Sequence, residues 1–180
     1  LRIIELFQEV RCAGMEFVFP PACLICRSEM PHRIVRTAGS TLCDDCLGEL
    51  HTGRGNACRR CGAPVGPFTV ATDHCILCHR ENYAFDGVIR MGLYRDRLRV
   101  ACLMAKNPAG SLMSRTLADL LVDSQYGLLS ERAFHAIVPV PEHWLKRMIR
   151  PHYAAEAMAR QISDRLKVRL ATGILAKARW

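Results

Sequence analysis

Four Cys-x-x-Cys units stand in series in the first half of the chain: Cys23/Cys26, Cys43/Cys46, Cys58/Cys61 and Cys75/Cys78. Two intervening residues let both sulfurs of one turn point at a single ion, and two such turns complete a tetrahedral set of four thiolates. Sixteen residues separate the first unit from the second and thirteen separate the third from the fourth. That spacing suits two consecutive zinc ribbons. Eight thiolates divide into two closed sites with no open coordination position, so the implied metal is structural. A cross-braced pairing of the first unit with the third, iron–sulfur clusters and disulfides are the competing arrangements. Disulfides fit poorly: Glu5, Glu9 and Glu16 interrupt the first twenty residues, which do not read as a secretory signal, and a reducing, cytoplasmic setting is expected. His74 and His79 flank the last unit but are surplus once eight thiols are used. Cys12 and Cys102 stand alone in helical contexts and read as small apolar residues.

The stretch that carries these pairs is poor in aliphatic residues and rich in Gly, Pro, Cys and Arg. It cannot bury enough apolar area to hold itself together and needs a staple. The rest of the 180 residues looks different. Half the chain is apolar and 23% is charged, as in ordinary folded proteins. No apolar run approaches the ~18–20 residues of a membrane-spanning helix. Charge is uneven: residues 1–86 hold nine Lys or Arg against ten acids, and residues 87–180 hold sixteen against seven. The basic surplus belongs to the second half, and two zinc-bound thiolate sets would make the first half more acidic still.

Residues 1–18 have helical spacing, with Ile3, Leu6, Phe7 and Val10 on one side, until Phe19-Pro20-Pro21 stops the helix. Residues 19–82 form the double zinc ribbon. From residue 83 onward the pattern alternates: a strand over Phe85–Tyr94, helices over Leu98–Met104 and Ser111–Val122 broken at Asn107–Gly110, and a short strand at Ala136–Pro141. A helix over Tyr153–Leu166 and a third strand beginning at Val168–Leu170 follow. Strands alternating with helices imply an α/β domain with an incomplete parallel sheet. Three strands leave such a sheet partly uncovered, so exposed apolar surface and self-association are expected in the second half.

Several of these features together resemble the ComF family. They are Phe19-Pro20-Pro21 before the first cysteine pair, the serial pairs themselves, Cys58-x-x-Cys61-Gly62-x-Pro64, and Phe85-Asp86 opening a segment that ends at Tyr94. Val138-Pro139-Val140-Pro141 followed by His143, Arg147 and Arg150 belongs to the same pattern. The resemblance implies a double zinc ribbon joined to a type I phosphoribosyltransferase-like domain over residues 83–180, and a role in competence, the bacterial uptake of DNA. It also implies single-stranded DNA and competence-machinery proteins as partners, and Mg2+ with phosphoribosyl pyrophosphate in an intact form. By the same resemblance Lys106, Val140, His143, Arg147 and Arg150 are candidate contacts to phosphate or pyrophosphate. No catalytic residue is assigned. Where the family writes Gly, Phe, Asn and Gln, this chain has Pro151, His152, Tyr153 and Ala154. Its only acidic doublet, Asp44-Asp45, lies inside a cysteine knuckle, and no strand ending in two acids and followed by a phosphate-cradling loop occurs up to Trp180. The expected domain is therefore truncated before its phosphoribosyl-pyrophosphate loop and is not expected to catalyse transfer.

The alternative function is a zinc-ribbon adapter that binds nucleic acid or protein. Arginine-rich charge favours it, with Arg59-Arg60 as the most prominent basic pair of the ribbons. Against it, the aromatics are few (7%) and do not interleave with the arginines, so no stacking platform for single strands is expected.

Overall fold

The computed structural model describes residues 20–30, 41–52, 55–66, 74–149 and 152–177. The expected helix over residues 1–18, Cys12 and Arg150 lie outside the described residues. Among the described residues five helices follow one another: α1 (Asp44–Thr52), α2 (Asp96–Ala105), α3 (Ser111–Ser130), α4 (Trp144–Ile149) and α5 (Ala154–Leu166).

The sequence pattern anticipates α2 and α5 to within two residues. It misses α1, which starts inside the second cysteine unit. Asp44 and Asp45 occupy its first turn, where negative charge is favoured by the helix dipole, and the Leu47 N–H donates to Cys43 O at 2.9 Å. The expected helix at Ser111–Val122 runs on to Ser130, because Val122 is itself fully buried and anchors the next turn. Gln125 departs from helical geometry there (φ −122°, ψ 18°), and its side-chain Nε2 donates to Arg90 O at 3.2 Å.

The expected parallel sheet is reduced, among the described residues, to one parallel bridge. Ile137 donates its N–H to Arg169 O at 2.8 Å and accepts from the Ala171 N–H at 2.9 Å, so the second and third expected strands do meet side by side. Phe85–Tyr94 is not a strand. A strand exists only through a laddered partner, and here the polar backbone is engaged elsewhere. Val88 donates to Arg59 O in the ribbon at 3.0 Å, and Arg90 O accepts from Gln125. The segment thus serves as a clamp between the ribbon and α3.

The helices supply most of the second half's packing. α3 packs against α5 and α2, and α1 packs against α2. Arg165 of α5 ties to Asp119 at 2.9 Å and to Asp123, both on α3, while Gln161 Nε2 also donates to Asp119 at 2.9 Å. Two side chains from the segment that departs from the family pattern act as struts. His152 Nε2, which faces a carbonyl and so must carry the proton, donates to Ala105 O at 3.0 Å and lies 3.2 Å from the buried Ser114 hydroxyl. The Tyr153 hydroxyl donates to Val140 O.

One apolar cluster joins Cys23, Ile25, Leu42, Cys46 and Leu50 of the ribbon to Ala101, Ala105, Met113, Leu117 and Leu120 of α2 and α3. The expected exposed apolar surface is present in the second half: Val140, Met148, Ile149, Ile174 and Leu175 all stand largely in solvent. No helix among the described residues is long and apolar enough to cross a membrane.

Candidate metal centres

Residues around the first and third cysteine units adopt the same hairpin. In the first, the Cys23 N–H donates to Ser28 O, the Arg27 N–H to Cys23 O and the Met30 N–H to Pro21 O. In the third, the equivalent bonds run from Cys58 to Ala63 O, Gly62 to Cys58 O and Val65 to Asn56 O, all between 2.8 and 3.1 Å. Each hairpin closes with one antiparallel bridge, Ala22–Glu29 and Ala57–Pro64. The residue after the second cysteine is left-handed in both, with φ of 64° at Arg27 and 72° at Gly62. This backbone repeat is invisible in the side chains, which share little beyond the cysteines.

The second and fourth units close each site differently. Cys43 precedes α1, and its Sγ accepts from the Cys46 N–H at 3.5 Å. At the fourth unit the His79 N–H donates to Cys75 O at 2.9 Å, and Cys78 Sγ accepts from the Cys75 N–H at 3.3 Å. Each site therefore combines a hairpin with a helical or turn knuckle.

The pairing is sequential. Cys23, Cys26, Cys43 and Cys46 gather at one point, and Cys58, Cys61, Cys75 and Cys78 at another, with all four sulfurs of a set within 4.8 Å of one another. Cross-bracing is excluded by this grouping. A tetrahedral zinc with Zn–S bonds of ~2.3 Å needs sulfurs about 3.8 Å apart. The Cys26–Cys43, Cys61–Cys75, Cys58–Cys78 and Cys75–Cys78 sulfurs lie 3.5, 3.5, 3.7 and 3.8 Å apart. All eight cysteines are free thiols rather than disulfides. The two sets fit two structural zinc ions, with no position left for a reacting ligand.

The electrostatics agree with a cation. The Ser28 hydroxyl, 3.0 Å from Cys26 Sγ, and the Ser28 backbone bring the Cys26 thiol down to about 6. Burial opposes ionisation of Cys58, but the N–H groups of Cys61 and Arg60 outweigh it and bring that thiol to about 6 as well. Their neighbours move the other way. Burial and the adjoining thiols push Cys46 upward and Cys78 up to about 12. Four crowded thiols cannot all ionise beside one another unless a cation neutralises them, which is what Zn2+ supplies. Ser28 is a contributor the sequence reading missed; a hydroxyl two residues after a ligand cysteine is too common to signal it.

Residues 14–80 match the double zinc ribbon domain. No curated protein and no solved structure matches the chain. The double ribbon accounts for the first half and leaves the second to be read from its own residues.

The phosphate candidates are placed as follows. Lys106 is exposed at the C-terminal end of α2, where its N–H bonds to Leu103 O. Val140 is exposed in its loop. His152 and Tyr153 link the two places, since they bond Ala105 O and Val140 O respectively. His143 is buried, and its Nδ1 accepts from the Leu145 N–H at 3.4 Å at the start of α4, which gives its imidazole a capping role. Arg147 lies on α4. Asp44 and Asp45 open α1 rather than ending a strand.

Proposed function

We propose that this chain is a zinc-stapled module of the ComF kind, acting in the cytoplasm on single-stranded DNA during uptake, and that the residues here bind rather than catalyse. The observation that carries this reading is the mating of a closed two-zinc ribbon with an arginine-rich half through the Val88–Arg59 and Arg90–Asn56 bonds. The ribbon's metal is structural, so its contribution is shape. The second half contributes positive charge, and a basic surface attracts phosphate whatever the sequence.

The resemblance supports the phosphoribosyltransferase-like origin of residues 83–180, and the parallel Ile137–Leu170 bridge is compatible with it. Lys106, Val140, His143, Arg147 and Arg150 remain its phosphate contacts within this proposal, with Mg2+ and phosphoribosyl pyrophosphate as ligands of an intact form. His152 and Tyr153, in place of the family's Phe and Asn, hold the loop to α2 and work against its closing over substrate. Titration calorimetry with phosphoribosyl pyrophosphate and Mg2+ is expected to show no tight binding; a strong signal would restore the catalytic reading. Anisotropy of a labelled oligothymidylate is expected to show binding that falls steeply with salt, and its absence at low salt would remove the DNA reading.

The second reading is a protein-binding adapter. The exposed apolar residues at Val140, Met148, Ile149 and Ile174 favour it, and self-association through them belongs to the same reading. A monodisperse monomer by light scattering would contradict that self-association.

A further inference from the structure

We infer that single-stranded nucleic acid docks at the seam between the second hairpin and the kinked end of α3, on an arginine and aromatic surface formed by Arg59, Arg60, Arg90, Arg132, Tyr83 and Phe85. The inference rests on the nucleic-acid part of the proposed function and assigns it a place.

The fold assembles what the sequence keeps apart. The Arg60 guanidinium lies over the Tyr83 ring, 6.0 Å from its centre. Tyr83 in turn stacks on Phe85, with ring centres 4.8 Å apart and planes within 12°. Phe85 is 44% exposed, so part of the stack is open to solvent. Two residues on, Gly87 brings the seam together. A Cβ there would stand 2.7 Å from Arg59 O and 3.2 Å from Arg132 Nη2, so Arg132, just past the end of α3, reaches the hairpin over a glycine.

Beside this contact lies a cleft of about 290 Å³ whose lining includes Arg59, Arg90, Gln125, Val88 and Leu128. It is at the small end of ligand pockets, which run ~300–1,000 Å³. Its lining contains no Asp or Glu, and it includes Cys58 of the second metal set. Arg90 donates from Nη2 to Asn56 O at 3.2 Å, yet its Nε and that of Arg60 are buried with no hydrogen-bond partner. None of the four arginines forms an ion pair among the described residues. By contrast Arg95, Arg97, Arg160 and Arg165 are all paired with acids. Glu81 and Asp86 are the acids of the same loop, Glu131 precedes Arg132, and the zinc-bound thiolates of the second site add two negative units, so the attraction rests on the unpaired guanidinium groups rather than on net charge.

Arginines outside any ion pair beside a cleft of mixed polar and apolar lining suit phosphate oxygens, and a partly exposed stacked ring pair suits a base. A duplex hides its base faces, whereas a single strand offers a phosphate and an unstacked base at each step. The surface therefore selects single strands.

The test uses the zinc-loaded chain and a fluorescent oligothymidylate, with anisotropy measured from about 50 to about 200 mM salt. Arg59→Ala with Arg132→Ala should flatten the log–log salt slope by about 0.7 for each arginine that meets a phosphate. Phe85→Leu should weaken binding about tenfold with the slope kept, as expected for one lost stacking contact. Two zinc ions per chain and an unchanged circular dichroism spectrum confirm that each variant is folded. If the wild type binds and all variants match it in affinity and slope, the surface is overturned while the DNA function stands. A change in slope with no effect of Phe85→Leu overturns the selection of single strands by stacking. If the wild type itself fails to bind at low salt, the proposed function fails first and takes the site with it.

Discussion

The repeated hairpin gives a matched pair of substitutions with opposite expected signs. Arg27 and Gly62 occupy the same left-handed position, at φ 64° and 72°. A side chain there costs ~1–2 kcal/mol, because Cβ crowds the following carbonyl. Arg27 carries that cost in the native protein. Replacing it with Gly removes the strain but adds ~0.5–1 kcal/mol of unfolded-chain freedom, for a net gain of about 0.5–1 kcal/mol. Gly62→Ala introduces the strain and also places a Cβ 2.8 Å from Val88 Cγ1, a stiff branched side chain that clamps the hairpin to the second half. Its net cost is about 1–2 kcal/mol after the smaller unfolded-state gain. Zinc binding and hairpin folding are coupled, so both effects appear as metal affinity. Competition with a chromophoric chelator should show one zinc held about two- to fivefold tighter in Arg27→Gly. In Gly62→Ala one zinc should be held about tenfold more loosely, and in each variant the other release step should stay put. Looser zinc in Arg27→Gly, or unchanged affinity in Gly62→Ala, would refute the assignment of strain to this position.

Cys46→Ser should leave one zinc per chain and lose much of the helical circular dichroism, because Cys46 sits in the cluster shared with α2 and α3. Cys78→Ser should also leave one zinc but keep that signal, since Cys78 lies outside the cluster; equal losses in the two variants would count against the asymmetry. Leu117→Ala, at a position 3% exposed in the same cluster, should cost about 3 kcal/mol. Thermal melting should fall by roughly 6–12 °C for a chain of this size, and a shift under 2 °C would show that the site collapses freely.

What the sequence disclosed was what depends on local spacing. Cys-x-x-Cys places two ligands on one turn by geometry alone, so the metal sets were readable; choosing sequential over cross-braced pairing needed the chain's path. Helices α2 and α5 were readable because their bonds are internal to the segment. Phe85–Tyr94 carries β-forming residues, yet a strand requires a partner edge, and its backbone bonds the hairpin and α3 instead. The meeting of Arg60 with Tyr83, and of Arg132 with Gly87, had no local signal at all. Both depend on how the second ribbon docks. The contact of Arg60 with the Tyr83–Phe85 stack is therefore not visible in the order of residues along the chain.

The two zinc sites differ in what they hold. The first forms a wall of the main core: Cys23 and Cys46 are fully buried against the α2–α3 cluster, and the Leu24 N–H reaches Thr41 O at 3.0 Å. The Thr41 hydroxyl then meets that of Thr116 on α3 at 2.9 Å, and Arg97 of α2 pairs with Glu49 of α1 at 3.1 Å. The second half shows, among the described residues, a single parallel bridge and much exposed apolar surface; its helices have little sheet there to pack on, and the first ribbon supplies that layer. The second site holds the hairpin whose Arg59 carbonyl receives Val88, and so fixes the arginine seam rather than the core. One metal thus supports the fold and the other shapes the surface. If the proposed seam is the docking surface, mild chelation that empties the second site alone should abolish oligothymidylate binding by anisotropy while the helical circular dichroism is kept.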